Sequence, residues 1–306
     1  MKRIILTGAT LLLVVMTSYA QDITIVQAGT GNSVAATQIG ADNEMVIEQM
    51  GDNNSADFYQ EGEGNTAILS STGPVILAGH PNSNDNNVTM SQVGNDNYSN
   101  FDVFGSGNTI SVTQEGDGNW VNFNMDGTGG PLSNGDGGNN NDNIVTISQL
   151  GNYNLIEGVE QGSANQITIT QEGDGNRVEG GDAHPTPIDD GKGVIVFGDL
   201  NVNIISQTGN DNLVIVSQIG NNNENYVSQN GDENEAGLAQ DGQENFSDIM
   251  QEGDMNVVGG IDGTLPAMQV GDANSINVMQ TGGNTANLGQ MGNQNAISVT
   301  QGPITP

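Results

Sequence analysis

Apolar and polar residues alternate along most of this chain with a period of two. In the segment from Asn165 to Gln171, apolar residues follow the Asn at plus two and plus four, and Gln stands at plus six. This period is typical of a β-strand with one buried face, so Asn, the two apolar residues and Gln are expected to share that face. The same inner pair recurs at Val34 and Ala36, Met45 and Ile47, Ala56 and Phe58, Ile110 and Val112, Val121 and Phe123, Val145 and Ile147, Val214 and Val216, Ala236 and Leu238, Ile276 and Val278, and Ile297 and Val299.

A hexad, Gln-x-Gly-x-x-Asn, joins each predicted strand to the next. It occurs fifteen times, and many successive copies start eleven residues apart. The Gly and the two residues after it, often Asp, Asn or Gly, suit a tight turn with positive φ. Each eleven-residue unit is therefore predicted to be one strand and one turn of a repeat architecture. The hexads start at Gln27, Gln38, Gln49, Gln60, Gln92, Gln114, Gln149, Gln171, Gln207, Gln218, Gln229, Gln240, Gln251, Gln269 and Gln290.

Alternate units in the middle of the chain differ from each other. Every second unit keeps its Gly but has lost its Gln, which is replaced by Ser71, Val103, Met125 or Glu160. This alternation indicates two non-equivalent strands in every 22 residues. We therefore predict an all-β fold, a β-solenoid of strand-turn-strand coils of about 22 residues, with about 22 strands in two facing parallel sheets.

Four stretches interrupt the repeat, near residues 74–85, 128–142, 177–189 and 257–268. The repeat resumes after each one, so they are expected to be loops at turns within one repeat domain spanning residues 21–306. Residues 1–20 are predicted to be a secretory signal peptide. Lys2 and Arg3 precede an apolar run, and Ala20 ends a stretch of small residues that favours cleavage before Gln21. No later segment is long and apolar enough to span a membrane.

Composition excludes several classes of function. The net charge is −33, and beyond residue 20 only Arg177 and Lys192 are basic, so nucleic acid is excluded as a partner. The absence of Cys excludes disulfides and thiolate metal sites. The two histidines, His80 and His184, lie in separate insertions without a visible partner. We therefore predict that the chain is not an enzyme, and that it has no catalytic residues, no cofactor and no metal site.

The segment from Gln49 to Gln60, QMGDNNSADFYQ, resembles the curlin repeat, Gln-x-Gly-x-x-Asn-x-Ala-x-x-x-Gln, at every specified position. The resemblance extends over nearly all of residues 21–306. It implies a secreted structural subunit of curli-type fibres, an extracellular functional amyloid that serves adhesion and biofilm matrix at the surface of a Gram-negative bacterium. The implied partners are further copies of the chain, an outer-membrane secretion pore and chaperones. The resemblance also allows a second curlin-like nucleator subunit as a partner. The length, the insertions and the missing glutamines depart from the family pattern.

The resemblance gives the inward Gln and Asn side chains a structural role, because in curli-type fibres they form hydrogen-bonded ladders along the fibre. The residues predicted to form these ladders are Gln38, Gln60, Gln92, Gln114, Gln149, Gln171, Gln218, Gln240, Asn43, Asn65, Asn97, Asn119, Asn154, Asn176, Asn223 and Asn245.

Acidic residues recur in the turns and are expected to lie in columns and repel one another. Assembly is therefore predicted to be slow at neutral pH and low salt, and faster when carboxylates are protonated or screened. Acidic turns also leave an alternative open, a monomeric calcium-binding β-solenoid that acts as an adhesin or surface protein. The acidic turn positions include Asp117, Asp174, Asp232 and Asp254.

Overall fold

Strands and turns make up the whole of the chain that the structure describes. The computed structural model describes residues 3–7, 11–17, 22–70, 84–125, 140–178, 194–260 and 266–302. Within these ranges every regular element is a β-strand, and no helix is long and apolar enough to cross a membrane. The predicted all-β class is confirmed.

The described residues form 26 strands, most of them seven residues long. They are β1 (Arg3–Thr7), β2 (Leu11–Thr17), β3 (Asp22–Ala28), β4 (Ser33–Ala41), β5 (Glu44–Met50), β6 (Ser55–Glu63), β7 (Thr66–Ser70), β8 (Asn87–Val93), β9 (Tyr98–Val103), β10 (Thr109–Glu115), β11 (Trp120–Met125), β12 (Ile144–Leu150), β13 (Leu155–Gln161), β14 (Gln166–Glu172), β15 (Arg177–Val178), β16 (Val194–Phe197), β17 (Val202–Thr208), β18 (Leu213–Ile219), β19 (Glu224–Asn230), β20 (Glu235–Asp241), β21 (Phe246–Glu252), β22 (Val257–Gly260), β23 (Ala267–Val270), β24 (Ser275–Thr281), β25 (Thr285–Met291) and β26 (Ala296–Gln301).

The chain divides into two compact units, Met1–Tyr153 with Glu160–Ser163, and Asn154–Val159 with Ala164–Pro306. In the first unit, sheet one has the order β1-β3-β5-β7-β9-β11 and sheet two the order β2-β4-β6-β8-β10-β12. Successive strands thus alternate between two parallel sheets. Paired residues in one sheet are mostly 22 positions apart, as Gln38 and Gln60 are in β4 and β6. The predicted β-solenoid with coils of about 22 residues is confirmed.

In the second unit, sheet two has the order β14-β17-β19-β21-β24-β26, whereas sheet one contains two divided strands. β15 pairs with the first two residues of β18, and β16 pairs with residues Val216 to Ile219 of the same strand. In the same way, β22 and β23 each pair with both β20 and β25. Each pair of short strands therefore fills one strand position.

The insertions explain these divided strands. Residues 71–83, 126–139, 179–193 and 261–265 lie outside the described residues and hold most of the inserted sequence. The first two intervals connect a strand of sheet one to a strand of sheet two, β7 to β8 and β11 to β12. The other two separate β15 from β16 and β22 from β23. The expectation that every insertion lies at a turn is wrong for the third and the fourth, because both interrupt a strand of sheet one.

The core lies between the inner faces of the two sheets. In β10, Ile110, Val112 and Gln114 are buried, and Thr109 and Glu115 at the two ends are exposed. Large inner residues of neighbouring coils stack in register, as Phe101 and Phe123 do with ring centroids 5.7 Å apart. The predicted inner apolar pairs are buried, except that Ile297 and Val299 in β26 are only half-buried.

Strands β1 and β2 fall within the segment predicted to be a signal peptide. β1 pairs with β3, and β2 pairs with β4, both in parallel. In the uncleaved chain this segment therefore covers the edges of the first two strands of the repeat. The signal peptide and its cleavage before Gln21 stay a prediction, as do the boundaries of the repeat domain.

Candidate functional site

A column of buried glutamines runs along the inner face of sheet two. In the first unit, Nε2 of each Gln donates to Oε1 of the Gln one coil further along the chain, at 2.7 to 2.8 Å. The members are Gln38, Gln60, Gln92, Gln114 and Gln149. The second unit holds a column of the same direction at 2.8 to 3.0 Å, formed by Gln171, Gln207, Gln229, Gln251, Gln280 and Gln301.

The same amides also join the two sheets. Gln60 Nε2 donates its other hydrogen to the backbone oxygen of Glu44 in sheet one, at 3.0 Å. Gln92 does the same to Thr66 at 3.0 Å, and Gln229 to Leu213 at 3.0 Å. An amide side chain has two N–H donors and one carbonyl, and both donors and the carbonyl are engaged here. Because leaving a buried partner unsatisfied costs about 1–3 kcal/mol, each Gln fixes the register of its coil and the spacing of the sheets.

Buried asparagines form two further columns. Each Asn is the residue that comes directly before a strand in the chain, and each sheet has one such column. Oδ1 of Asn65 accepts from the backbone N–H of Asn97 at 3.0 Å and from its Nδ2 at 3.0 Å. In the other direction, Nδ2 of Asn65 donates to the backbone oxygen of Gly94 at 2.7 Å. An Asn thus satisfies backbone groups of the turn, where no strand ladder can do so.

The Gly of the hexad is required by the close approach of neighbouring coils. Gly94 has φ of +120°, and a Cβ built on it would lie 2.1 Å from the backbone oxygen of Gly116. Gly105, which follows a strand without Gln, has φ of +92°, and its Cβ would lie 1.8 Å from the oxygen of Asn140. Both the dihedral angle and the contact exclude a side chain. The turn therefore needs Gly whether or not the strand before it ends in Gln.

The glutamine column of sheet one is interrupted. Gln27 donates to Gln49 at 2.7 Å, but the equivalent positions in β9, β11 and β16 hold Val103, Met125 and Val196. Later in sheet one a second stretch is formed at 2.8 to 3.0 Å by Gln218, Gln240, Gln269 and Gln290.

The predicted ladder residues are distributed over both sheets. Gln38, Gln60, Gln92, Gln114, Gln149 and Gln171 lie in sheet two, whereas Gln218 and Gln240 lie in sheet one. Six of the asparagines precede strands of sheet one: Asn43, Asn65, Asn97, Asn119, Asn154 and Asn176. Asn223 and Asn245 precede strands of sheet two, and the backbone N–H of Asn245 donates to Oδ1 of Asn223 at 3.0 Å. The functional importance of these residues stays a prediction.

Sequence reasoning missed a polar cluster within the core of the second unit. Asn203 Nδ2 donates to Gln218 Oε1 at 2.6 Å, and Asn225 Nδ2 donates to Asn203 Oδ1 at 3.3 Å. Ser247 Oγ donates to Asn225 Oδ1 at 2.6 Å, and all four side chains are buried. The available signal was the plus-two position, where Asn203, Asn225 and Ser247 replace the expected apolar residue.

A buried carboxyl group in β13 was not predicted from the sequence. Glu160 occupies the Gln position of β13 and is fully buried, with a relative exposure of 0 %. The sequence showed only that Gln was missing there. Carboxyl groups are rarely fully buried unless they are paired or hydrogen-bonded. The inner face of this coil therefore differs in polarity from that of a coil that carries Val or Met at the same position.

The turn residues are less uniformly acidic than expected. Asp117 Oδ1 accepts from the backbone N–H of Asn95 at 2.8 Å, and the N–H of Asp117 donates to Asn152 Oδ1 at 2.9 Å. Asp thus alternates with Asn along this part of the turn column. Direct neighbours with like charge do occur at Asp232 and Asp254, where the N–H of the first donates to the carboxylate of the second at 3.0 Å. Repulsion between acidic turn residues stays a prediction, and around Asp117 the neighbouring coils carry amides instead of carboxylates.

The turn carboxylates act as hydrogen-bond acceptors. At Asp52, bonds from the backbone N–H of Thr30 at 2.7 Å and from its hydroxyl at 2.9 Å lower the pKa of the carboxyl group. Within the described ranges no three His, Asp or Glu side chains come together as a metal site would require.

Aromatic side chains on the outer faces of the sheets stack along the columns. The rings of Tyr98 and Trp120 lie 3.9 Å apart with an angle of 18°, and Tyr226 and Phe246 lie 5.9 Å apart. Burial raises the pKa of Tyr98 and of Tyr226, with nearby carboxylates adding to the effect. The ring faces of Tyr98 and Trp120 cover one another, which fits surface packing between coils.

Comparison with known families agrees with this geometry. The profile described as the curlin associated repeat matches residues 22–50, 40–73, 84–116 and 220–253. The chain contains curlin repeats. Some of the matched coils carry Gln at the end of the strand in both sheets. The match to β8–β10 differs, because Val103 replaces Gln in its sheet-one strand. No curated protein matches this sequence. The curlin repeat is the repeat of a structural family, which supports a curli-type structural subunit.

Proposed function

We propose that this curlin-repeat protein is exported and polymerises into curli-like amyloid fibres at the cell surface, where the fibres serve adhesion and biofilm matrix. The observation that carries this proposal is the glutamine column of sheet two, which extends in the second unit as far as Gln301 in β26. β26 pairs with β24 along one edge, and its other edge has no partner among the described residues.

The end of this column favours association with another strand. An unpaired edge exposes backbone N–H and C=O groups that can template the addition of a strand. Parallel in-register stacking, with ladders of identical amides, is the arrangement found in cross-β fibres. A further coil on β26 would also bury Ile297 and Val299, which are half-buried, whereas Ile276 and Val278 in β24 are fully buried. Polymerisation therefore continues the interactions that already hold the coils together.

Export is supported by the predicted signal peptide and by the curlin repeats. The proposed partners are other copies of the chain, an outer-membrane secretion pore, chaperones and a curlin-like nucleator subunit. The proposed location is an extracellular fibre of a Gram-negative bacterium. The acidic and glycine-rich turns would delay aggregation before export is complete.

Electron microscopy of the purified chain starting at Gln21 tests the proposal. We expect unbranched fibres after incubation at mildly acidic pH, with a diffraction repeat of about 4.8 Å along the fibre axis. A preparation that stays monodisperse for weeks under these conditions, while circular dichroism shows a folded β-protein, would contradict the proposed function.

The dependence of assembly on pH and salt follows from the net charge of −33. Stacking brings acidic copies together, so protonation or screening of carboxylates lowers the repulsion between them. We expect dye-binding time courses to be slowest at neutral pH and low salt. The reverse order would show that charge repulsion does not limit assembly.

A further inference from the structure

Part of the outer face of sheet one is buried. Strand residues that point away from the core usually face the solvent, and in sheet two of the second unit all of them are half-buried or exposed. Sheet one differs over four neighbouring strand positions, β13, β16, β18 and β20. We call the buried outward residues of these strands the outer patch. They include Val159, Ile195, Phe197, Ile215, Ser217 and Ala239.

The outer patch has the packing of a small core. Phe197 is 1 % exposed and Val159 is 4 % exposed, and both pack with Ile195. By comparison Ile204, which points outward from β17 in sheet two, is only half-buried. Neighbouring strands alone thus leave a large outward side chain half-buried. A further layer of chain must therefore lie over the patch. Every described strand of the second unit belongs to one of the two sheets, so this layer comes from outside the strands.

The two insertions that divide strands of sheet one leave the sheet beside this patch. Insertion 179–193 divides the strand position that pairs with β18, and its break lies opposite Ile215. Insertion 261–265 divides the strand position that pairs with β20, and its break lies opposite Gly237. Ile215 and Gly237 are register partners. The two insertions thus leave sheet one at the same height, on either side of β18 and β20.

The core face has no room for the longer insertion. Val178 ends β15, Val194 begins β16, and both have a relative exposure of 0 %. A segment inserted in the middle of a strand must leave the sheet on one of its two faces. Because the core face is filled, residues 179–193 must leave and return on the outer face, where the patch lies.

Length decides which insertion can reach the whole patch. Strands in a sheet lie about 4.8 Å apart, so β13 with Val159 is one spacing from the break at 179–193 and about 19 Å from the break at 261–265. A five-residue segment that goes out and returns reaches roughly 10 Å, whereas fifteen residues reach roughly 25 Å. Residues 179–193 also supply apolar side chains at Pro185, Pro187 and Ile188.

We propose that residues 179–193 lie on the outer patch and form a third layer on sheet one of the second unit. This layer removes an apolar surface from solvent, and exposed apolar surfaces of this kind promote association between molecules. The insertion therefore keeps this face of the chain from associating with other copies. The inference goes beyond the proposed function and holds for the soluble chain whether or not it forms fibres.

Thiol labelling tests for the layer, because the chain contains no Cys. Ser217→Cys places a thiol in the patch, where Ser217 is 3 % exposed. Ser228→Cys is the matched control, since Ser228 also directly precedes a strand-ending Gln but is exposed on sheet two. In the full chain we expect the first thiol to react about a hundredfold more slowly than the second, because it reacts only when the layer opens. Equal rates would show that no layer lies on the patch and would overturn the proposal.

Shortening the insertions identifies the segment that forms the layer. Replacement of residues 180–192 by four residues of Gly and Ser should bring the labelling rate of Ser217→Cys to within about tenfold of the control rate. The same linker in place of residues 127–138 or 261–265 should leave the slow rate unchanged. A slow rate that persists without residues 180–192 would assign the layer to another segment. A parent rate that rises on dilution would assign it to a second copy, and either outcome would overturn the proposal.

Trypsin removes the insertion from the folded chain if the shortened variant does not fold. Beyond Arg3, the chain has only two cleavage sites, Arg177 and Lys192, and they stand at the two ends of the insertion. After release of the peptide between them, we expect the thiol of Ser217→Cys to react at a rate close to that of the control, while circular dichroism still shows a β-protein. A thiol that stays slow after the peptide has left would overturn the proposal.

Association in solution tests the consequence of losing the layer. The chain without residues 180–192, or the trypsin-treated chain, should sediment as larger species at concentrations at which the freshly prepared parent is a monomer. The variant shortened at residues 127–138 is the control and should sediment like the parent. If the patch is accessible to the thiol reagent and the chain still sediments as a monomer, the insertion does not prevent association and that part of the proposal is wrong.

Discussion

Sheet one and sheet two are built from the same eleven-residue unit, yet they differ in the residue that ends each strand. Sheet two carries Gln at this position in every strand from β4 to β26. Sheet one replaces it with Val103, Met125, Glu160 and Val196 in the middle of the chain. The turn glycines are kept in both sheets, and so are most of the inner apolar pairs, although Asn203, Asn225 and Ser247 replace one member in three strands of sheet two. The difference teaches that glycine turns and alternating apolar residues specify the coil, and that the amide column is an additional, separable feature.

The largest effect is expected from the feature that the two sheets share. Gly94 follows a strand that ends in Gln, and Gly105 follows a strand that does not. The two variants to compare are Gly94→Ala and Gly105→Ala. In both, the new Cβ would meet a backbone oxygen of the neighbouring coil. We expect each variant to lose about 3 kcal/mol or more of unfolding free energy, measured by urea denaturation. A much smaller loss at Gly105 would show that the coils of sheet one adapt more easily.

The next largest effect is expected from the amide column, which distinguishes sheet two from the middle of sheet one. Gln92→Leu removes the bonds to Gln60, Gln114 and the backbone oxygen of Thr66. We expect it to lower the unfolding free energy by about 2–4 kcal/mol, because several buried partners lose a bond.

Met125→Leu in sheet one is the matched control for Gln92→Leu, since Met125 occupies the Gln position of β11 and is fully buried. A swap between two apolar residues of similar volume should cost less than about 1.5 kcal/mol. Equal losses in the two variants would mean that the amide column adds nothing beyond filled volume.

Much of this architecture could be predicted from the sequence, because period two and the repeated hexad report directly on strand and turn. The loss of Gln in alternate coils was visible at Val103 and Met125. The divided strands were not, because Arg177–Val178 is too short to show a period. The polar cluster at Asn203 and Asn225 was also missed, because a single polar residue at an inner position looks like irregularity until the neighbouring coils align it with others.

A moderate effect is expected from building an amide pair into sheet one. Val103 and Met125 are register partners in β9 and β11, and both are buried. Val103→Gln alone should cost about 1–2 kcal/mol, because a buried amide lacks an amide neighbour. Adding Met125→Gln should return about 1 kcal/mol through the new bond between them. A double-mutant cycle without coupling would show that the backbone of sheet one does not bring these positions into amide contact.

The smallest effect concerns the turns, where carboxylates and amides occupy equivalent positions. Asp52 accepts two bonds from Thr30, and Asn84 accepts one from the backbone N–H of Asp52 at 2.7 Å. The bonds from Thr30 hold the pKa of Asp52 below its ordinary value. Such a group stabilises the fold above its unfolded-state pKa, and the contribution is lost as the pH falls through the folded-state pKa, below about pH 4. Asp52→Asn keeps an oxygen acceptor that does not titrate, so its melting temperature should fall less on acidification than that of the parent. Parallel curves for the two proteins would show that the bonds from Thr30 do not depend on the charge of the carboxylate.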